Sequence, residues 1–490
     1  MEITTKQIDE IWDGQSGDRQ KLKKRRDYFN GKHSISTRTE TFANGDKKTN
    51  TVTNFAEYVV DMYVGSLTST DYQLTSNKEG AAGAANYGII ADALDLPAID
   101  VNNLSNALVY GRALELHEFT EKAPVITAQR PEKWALTRDE SGSVVLAINR
   151  VTLGKNSFYD GALLTVPKEL QHVYSEQSIT VHARDVVEGA GTQGTKGKWV
   201  EISNTQHNYG QVPIVEWIPD VDQRGLLTDA LIGQIDDYNE IDSLGGDDIR
   251  QTADALLKIK GVGGAWAAEN ADTITKMRML PMPEDSDAEY LTKVTDVARV
   301  ESHLARSREA VHLMTGVPDV QQIVGATGGT SGIALQLKFT PMQNRAGAMI
   351  KELTKGMRAR IDLLNGIARK MGGTVIEDYN VIMTFSIPVN RIEEWMNIGA
   401  LNGIVTQRTQ LELLTDINDP EKELKALQDE SVVRAETEGI NEDPATSAAR
   451  QDLAVQKAGN DFGPSIDKAM ELIGDRLLNR VNRGLNATTD

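Results

Sequence analysis

The chain of 490 residues contains no cysteine. This absence excludes disulfide bonds, thiolate metal sites and cysteine nucleophiles, and it suits a protein that lives in a reducing cytoplasm or one that never needs oxidation. Long apolar runs are missing too, since no stretch reaches the length of a membrane-spanning helix. The first residues, MEITTKQIDEIWDG, do not have the apolar core of a signal peptide. The sequence therefore predicts a soluble protein with no membrane partner.

Catalytic and metal-binding patterns are also missing. The seven histidines are scattered, and none has the i, i+4 histidine partner that a zinc helix uses. The sequence contains no G-x-S-x-G motif. The neighbouring carboxylates Asp236-Asp237 and Asp247-Asp248 point about 100° apart on a helix. The two members of each pair therefore do not face each other as a general acid and a general base. We therefore predict no catalytic residue, no metal site and no cofactor, and the sequence favours a structural role over an enzyme.

Glycine is concentrated in one stretch, GATGGTSG, at residues 325–332. A glycine-rich turn before a helix can hold phosphate with its unpaired backbone N–H groups. A nucleotide-hydrolysing loop also needs a lysine beside its last glycine, but here the nearest one, Lys338, comes six residues after Gly332. The preceding EAVHLMTGVPDVQQI predicts a helix and a turn instead of the expected strand. The stretch is therefore interpreted as a flexible connector.

Acidic residues outnumber basic ones, 71 against 52, which gives a formal net charge of -19. Proteins that grip nucleic acid neutralise its phosphates with lysine and arginine, so this balance argues against tight binding. It does not argue against a protein past which nucleic acid slides.

The first 220 residues have the pattern of an α+β domain. Helical spacing covers residues 6–30, then NFAEYVVDMYVGSL, and then a stretch from about 85 to 120 that ends in VYGRALELHEF. Strand-like runs follow: a hairpin with Glu140-Ser141-Gly142 at its tip, then SITVHARDV, KWVEIS and VPIVEWIP.

Two long helices of opposite charge are predicted in the remainder. The first, from 227 to 258, would be about 48 Å long. Its acidic face is represented by Asp236, Asp237, Glu240, Asp247 and Asp248. The second, from 333 to 370, buries one apolar stripe and has an expected kink at Pro341. Its basic residues are Lys338, Arg345, Lys351, Lys355, Arg358, Arg360, Arg369 and Lys370.

Several short motifs, taken in order, resemble the portal proteins of tailed bacteriophages, in the subfamily of about this length from siphovirus-like particles. The motifs are YFNGKHSI, NFAEYVVDMYVGSLTS, VYGRALELHEF, NYGQVPIVEWIPD, TSGIALQLKF, IPVNRIEEW, GIVTQRTQLELL and DPEKELKALQDE. The resemblance covers about residues 20–430 and depends on the order of the motifs, not on one signature.

The resemblance implies an α+β, mainly α-helical fold with a portal-like architecture of wing, long-helix stem, small α/β clip, tunnel loop and helical crown. The implied boundaries are wing 1–223, stem helix 224–258, clip 259–297, second stem helix 298–317, tunnel loop 318–332, wing long helix and strand 333–390, and helical crown with C-terminal tail 391–490.

It also implies a function. Portal proteins form a homo-oligomeric ring of about twelve subunits at one capsid vertex, through which double-stranded DNA is packaged and ejected without sequence specificity. The implied partners are the terminase, head-completion or adaptor proteins, and the major capsid and scaffold proteins. The implied locations are the virion and, during assembly, the host cytoplasm. Two alternatives stay open: another structural head or connector protein, and a packaging ATPase, which the missing lysine disfavours.

GATGGTSG resembles the tunnel loop, which protrudes into the channel. The implied loop residues are Gln321, Gln322, Gly325, Thr327, Gly328, Gly329, Thr330 and Ser331, and Lys338 and Arg345 are candidates for weak phosphate contacts. The opposed charges of the two long helices suggest a further hypothesis. The acidic and basic faces pair with each other, within one subunit or across a subunit interface, or else both are merely solvated.

Overall fold

The computed structural model describes residues 3–42, 45–70, 72–76, 83–119, 124–159, 161–187, 195–253, 256–260, 265, 287–291, 297–319, 332–373, 375–386, 398–414, 417 and 420–437. The chain divides into two compact units, Met1–Val389 and Asn390–Asp490. The first mixes helices and sheets, and the described part of the second is largely helical.

The helices of the first unit are α1 Thr5–Gly14, α2 Ser16–Phe29, α3 Phe55–Leu67, α4 Gly83–Ala93, α5 Leu96–Tyr110, α6 Asp229–Ala253, α7 Val297–Thr315 and α8 Gly332–Met371. The second unit contains α9 Gln407–Leu413 and α10 Pro420–Thr437. Side chains cap several of these helices. Thr4 and Gln7 form a capping box at α1, and Asn54 accepts a hydrogen bond from the backbone N–H of Glu57 at α3.

The strands are β1 Gln73–Ser76, β2 Ala113–Phe119, β3 Pro124–Gln129, β4 Trp134–Arg138, β5 Val144–Leu153, β6 Phe158–Tyr159, β7 Ala162–Leu163, β8 Lys168–Tyr174, β9 Ser178–Val187, β10 Thr195–Lys196, β11 Val200–Gln206, β12 Ile214–Trp217, β13 Leu256–Lys260, β14 Asp287–Leu291 and β15 Tyr379–Ile382. The largest sheet has the order β10-β9-β8-β5-β4, with β11 also paired to β9. A three-stranded sheet has the order β12-β2-β3, and β1 pairs with the distant β15. The predicted hairpin is confirmed, since β4 and β5 pair antiparallel around the turn at Asp139–Ser143.

The main core lies where α3, α5 and α8 meet the three-stranded sheet. The predicted apolar stripe of the long second helix is confirmed, because its members from Met342 to Ile361 are buried. Gly356 lets α8 approach β12 closely: a Cβ atom there would lie 3.0 Å from the ring of Trp217. The helix continues through Pro341.

The predicted helical stretch from about 85 to 120 is only partly correct. Helix α5 ends at Tyr110, and Gly111 follows with φ 87°, a left-handed conformation that stops a helix and favours glycine. The next residues, ALELHEF, form β2, the central strand of the three-stranded sheet. Their alternation of leucine with polar residues is a strand signal, which the expectation of a continuous helix overlooked.

The predicted first long helix is also shorter than expected. Helix α6 covers Asp229–Ala253, whereas Leu256–Lys260 form a strand that pairs with Asp287–Leu291. This pairing supplies the backbone hydrogen bonds of residues 256–258, so a contact some thirty residues away in sequence overrides their helical spacing. Most of the predicted clip lies outside the described residues.

Candidate functional site

Residues 320–331 lie outside the described residues, and they include Gln321, Gln322, Gly325, Thr327, Gly328, Gly329, Thr330 and Ser331. Their assignment to the tunnel loop therefore stays a prediction. Gly332, the last glycine of the stretch, is the first residue of α8, and the chain is also described up to Asp319.

The helix end that leads into this stretch is firmly fixed. The Tyr63 hydroxyl donates to the Thr315 carbonyl at 2.8 Å, and Arg345 donates to the Met314 carbonyl at 3.0 Å. The last carbonyls of a helix have no partner within the helix, so both contacts cap α7 from other elements. Burial raises the pKa of Tyr63 to about 12. Gly316, at φ 74°, then turns the chain beside Pro341 of α8.

The residues after Gly316 are held as well. His312 donates through Nδ1 to the Val317 carbonyl at 2.9 Å, and its Nε2 lies 4.0 Å from the Asp319 carboxylate. Arg308 approaches the same carboxylate at 3.4 Å. These groups border a cavity of about 360 Å³, lined by Thr53, Asn54, Phe55, Tyr58, Tyr238, Arg308, His312 and Asp319. The glycine-rich stretch thus starts from an anchored base.

One face of the acidic helix α6 binds an extended segment, residues 49–53, which we call the strap. The backbone N–H groups of Thr49, Thr51 and Thr53 donate to the side chains of Asp247, Ser243 and Asn239, at 2.6, 2.9 and 2.8 Å. Alternate residues of an extended chain are about 6.6 Å apart, and four helical residues rise about 6 Å, so the two spacings match. The strap therefore runs antiparallel to α6 and is bonded at three successive turns.

The strap changes the interpretation of the predicted acidic face. Asp247 is buried and pairs with Arg38 at 3.1 Å, while Asp236 accepts hydrogen bonds from Tyr28 and Ser34 at 2.7 Å. Both carboxylates therefore bind the N-terminal region of their own chain. Asp237 and Glu240 are exposed, and Asp248 is half-buried.

The basic helix is also less uniform than predicted. Arg360 is completely buried and does not belong to the exposed basic face. It donates to Glu115 at 2.9 and 2.5 Å and pairs with Asp100 at 2.5 Å. Glu115 also binds His117, Asn103 and Trp217. Burial raises the pKa of Glu115, but Arg360 and then His117 oppose this effect more strongly and hold the pKa well below its usual range. The network joins α5, β2, β12 and α8 in the core.

The hypothesis of charge pairing within one subunit finds no support in the described part of the chain. Ion pairs described for α8 go to Glu352, Asp100, Glu115 and Glu377, and ion pairs described for α6 include those with Arg38 and His303. Lys338 is exposed, whereas Arg345 caps α7. A phosphate contact of either residue stays a prediction.

Sequence reasoning missed the strap and the buried network. The small polar residues Asn239, Ser243 and Asp247 recur every four residues, which was a readable signal for one polar helix face. The strap carries threonine at the alternate positions 49, 51 and 53, and this spacing corresponds to the four-residue spacing on the helix. No local pattern marked Arg360 as different from Arg358.

Among the described residues, no three or more His, Asp or Glu side chains are grouped so that they could hold a metal ion. None of the helices in the described part of the chain is both long and apolar enough to cross a membrane.

Comparison with known proteins places these features in context. A family model described as "Phage portal protein, SPP1 Gp6-like" matches residues 8–436. Among solved structures, the neck of an empty gene transfer agent (GTA) particle computed with C6 symmetry is similar over 73% of this chain and 89% of that chain, with 14% identity and a TM-score of 0.41. The neck of a native GTA particle computed with C12 symmetry is similar over 74% of this chain and 89% of that chain, with 13% identity and a TM-score of 0.38. The virion of the native GTA particle is similar over 73% of this chain and 89% of that chain, with 13% identity and a TM-score of 0.39. No curated protein matches the chain.

Proposed function

Because the chain belongs to the SPP1 Gp6-like family of phage portal proteins, we propose that it forms a ring of about twelve subunits at one vertex of a viral capsid. Double-stranded DNA passes through the central channel during packaging and again during ejection. The observation that carries this proposal is the family match, which spans residues 8–436.

The charge of the chain supports passage of DNA without tight binding. A net charge of -19 per subunit repels phosphates in general, so DNA meets little electrostatic friction. Base-specific recognition needs side chains that reach into a groove of the DNA, and we expect no such contacts from this protein. Phosphate contacts are limited to weak, salt-sensitive ones from Lys338 and Arg345.

We assign the wing to residues 1–223 and 333–390, the stem to 224–258 and 298–317, the clip to 259–297 and the crown with its tail to 391–490. The helical part of the first stem segment is α6, which ends at Ala253. The tunnel loop is residues 318–332. Glycines at 325, 328 and 329 permit backbone conformations that other residues rarely adopt, at about 0.5–1 kcal/mol each in regular structure. The contacts of Thr315 and Asp319 support this assignment, because they fix the chain at the start of the loop.

The ring docks the terminase motor during packaging and head-completion or adaptor proteins afterwards, and it contacts the major capsid and scaffold proteins. The protein lies in the virion and, during assembly, in the host cytoplasm. Portal proteins are structural proteins, and we propose that this chain hydrolyses no ATP by itself, since the lysine of a nucleotide loop is missing.

Native mass spectrometry and negative-stain micrographs of the purified full-length protein test the proposal. We expect closed rings with an axial channel and no ATP turnover. Compact monomers under all assembly conditions would contradict the ring. Turnover that disappears on Lys338→Ala would instead revive the packaging ATPase.

A further inference from the structure

An exposed line of residues runs along helix α6 from Asp229 to Leu244, and we call it the acidic stripe. Its members recur at steps of four, four, three and four, so they lie on one helix face. All are exposed, and Asp237, at the border with α7, also accepts a hydrogen bond from Ser307 and lies 3.8 Å from His303. The strap and the core lie on other faces of this part of the helix. The acidic stripe consists of Asp229, Gly233, Asp237, Glu240 and Leu244.

Gly233 lies between the acidic residues of this stripe. A glycine inside a helix is less stable than alanine by about 1 kcal/mol, and no atom lies within 4 Å of the position that its Cβ would take. The subunit itself therefore does not explain the glycine. It leaves an open position on the helix surface between Asp229 and Asp237.

Helix α8 has a matching exposed line, which we call the basic stripe. It consists of Ala348, Lys351, Lys355 and Arg358, at steps of three, four and three. These are the steps at which helices pack side by side. Lys355 pairs with Glu352 at 2.6 Å on its own helix, and the other two cations are exposed.

We propose that the acidic stripe of one subunit docks against the basic stripe of a second copy of this chain. The inference rests on the proposed ring, because in a head-to-tail ring each subunit meets its neighbours through two different surfaces. Complementary charge on those surfaces sets the register and suppresses wrong closures. Arg360, Asp236 and Asp247 do not belong to this interface, since each binds a side chain of its own subunit: Glu115, Tyr28 and Arg38 respectively.

Charge reversal followed by charge exchange tests the pairing in the full-length chain. One variant carries Lys351→Glu, Lys355→Glu and Arg358→Glu, and another carries Asp229→Lys, Asp237→Lys and Glu240→Lys. We expect each to lower the yield of rings about tenfold or more at low salt, as counted by native mass spectrometry. The variant with all six changes should recover ring formation, because opposite charges face each other again.

The matched control carries Lys6→Glu, Lys21→Glu and Lys155→Glu, which are exposed lysines outside both stripes. It changes the net charge as much as the basic-stripe variant and should assemble like the wild type. Circular dichroism of each variant verifies that the monomer stays folded. Rings formed equally by the wild type and both reversed variants would overturn the pairing alone, and so would failure of the six-change variant to recover. A wild type that forms no ring would overturn the proposed function as well.

Discussion

Arg360 of α8 and Glu115 of β2 form a buried, two-point ion pair, with Nε–Oε1 at 2.9 Å and Nη2–Oε2 at 2.5 Å. It fixes α8, the longest of the described helices, to the central strand of the three-stranded sheet. The guanidinium also lies 4.8 Å from the ring of Trp217, and Asp100 supplies the second carboxylate. A planar guanidinium suits this geometry better than an ammonium does.

Replacing Arg360 by a neutral residue should strongly reduce the stability of the fold. Arg360→Met leaves Glu115 and Asp100 buried without their partner, and we expect the free energy of unfolding to fall by about 3–5 kcal/mol. Urea denaturation measures the change. The control is Arg358→Met on the same helix, which is exposed and should stay within about 0.5 kcal/mol of the wild type. Equal losses in both variants would show that the ion pair is not the reason.

The depressed pKa of Glu115 predicts a specific acid sensitivity. The folded state holds this carboxylate ionised, whereas the unfolded chain takes up a proton near the ordinary value of about 4.3. Stability from this group is therefore present above that value and is lost as the pH falls below it. From about pH 5 to pH 3 the wild type should lose more stability than Glu115→Gln does. Parallel curves from denaturation at each pH would contradict the assignment.

Gly111 and Gly88 should respond oppositely to alanine. At Gly111 φ is 87°, and an added Cβ would lie 1.8 Å from the Gln223 carbonyl oxygen, so we expect Gly111→Ala to lose more than about 4 kcal/mol or not to fold. Gly88 lies on α4 with no atom near its Cβ position. Gly88→Ala should gain up to about 1 kcal/mol. Thermal unfolding compares the two, and a tolerated Gly111→Ala would disprove the close approach.

The strap can be tested with a disulfide, since the chain has no cysteine of its own. A Cβ at Gly246 would lie 3.5 Å from the Cβ of Thr49, within the range of natural disulfides. Thr49→Cys with Gly246→Cys should therefore oxidise readily and stabilise the fold by about 2–4 kcal/mol.

Melting temperatures with and without reductant give the size of this effect, and mass spectrometry of the oxidised protein identifies the bond. Thr49→Cys with Leu244→Cys is the control, because Leu244 lies on the exposed face. That pair should stay reduced. Equal cross-linking of both pairs would indicate that the strap leaves α6.

Local patterns in the sequence determined a large part of this protein. The apolar stripe of α8, the hairpin around Gly142 and the end of α7 at Gly316 follow from periodicity and turn chemistry, which act over a few residues. The order of short motifs identified the portal family, which the match over residues 8–436 confirms.

Only the tertiary structure decided which charged side chains form contacts within the subunit and which stay in solvent. Arg358 and Arg360 look alike in the sequence, but a rotation of about 200° along the helix places one in solvent and the other beside Glu115. The strap binds Asp247 although Thr49 lies almost two hundred residues earlier, and β14 turns residues 256–258 into a strand. Such contacts join segments that are distant in sequence, so no local window contains the information that selects them.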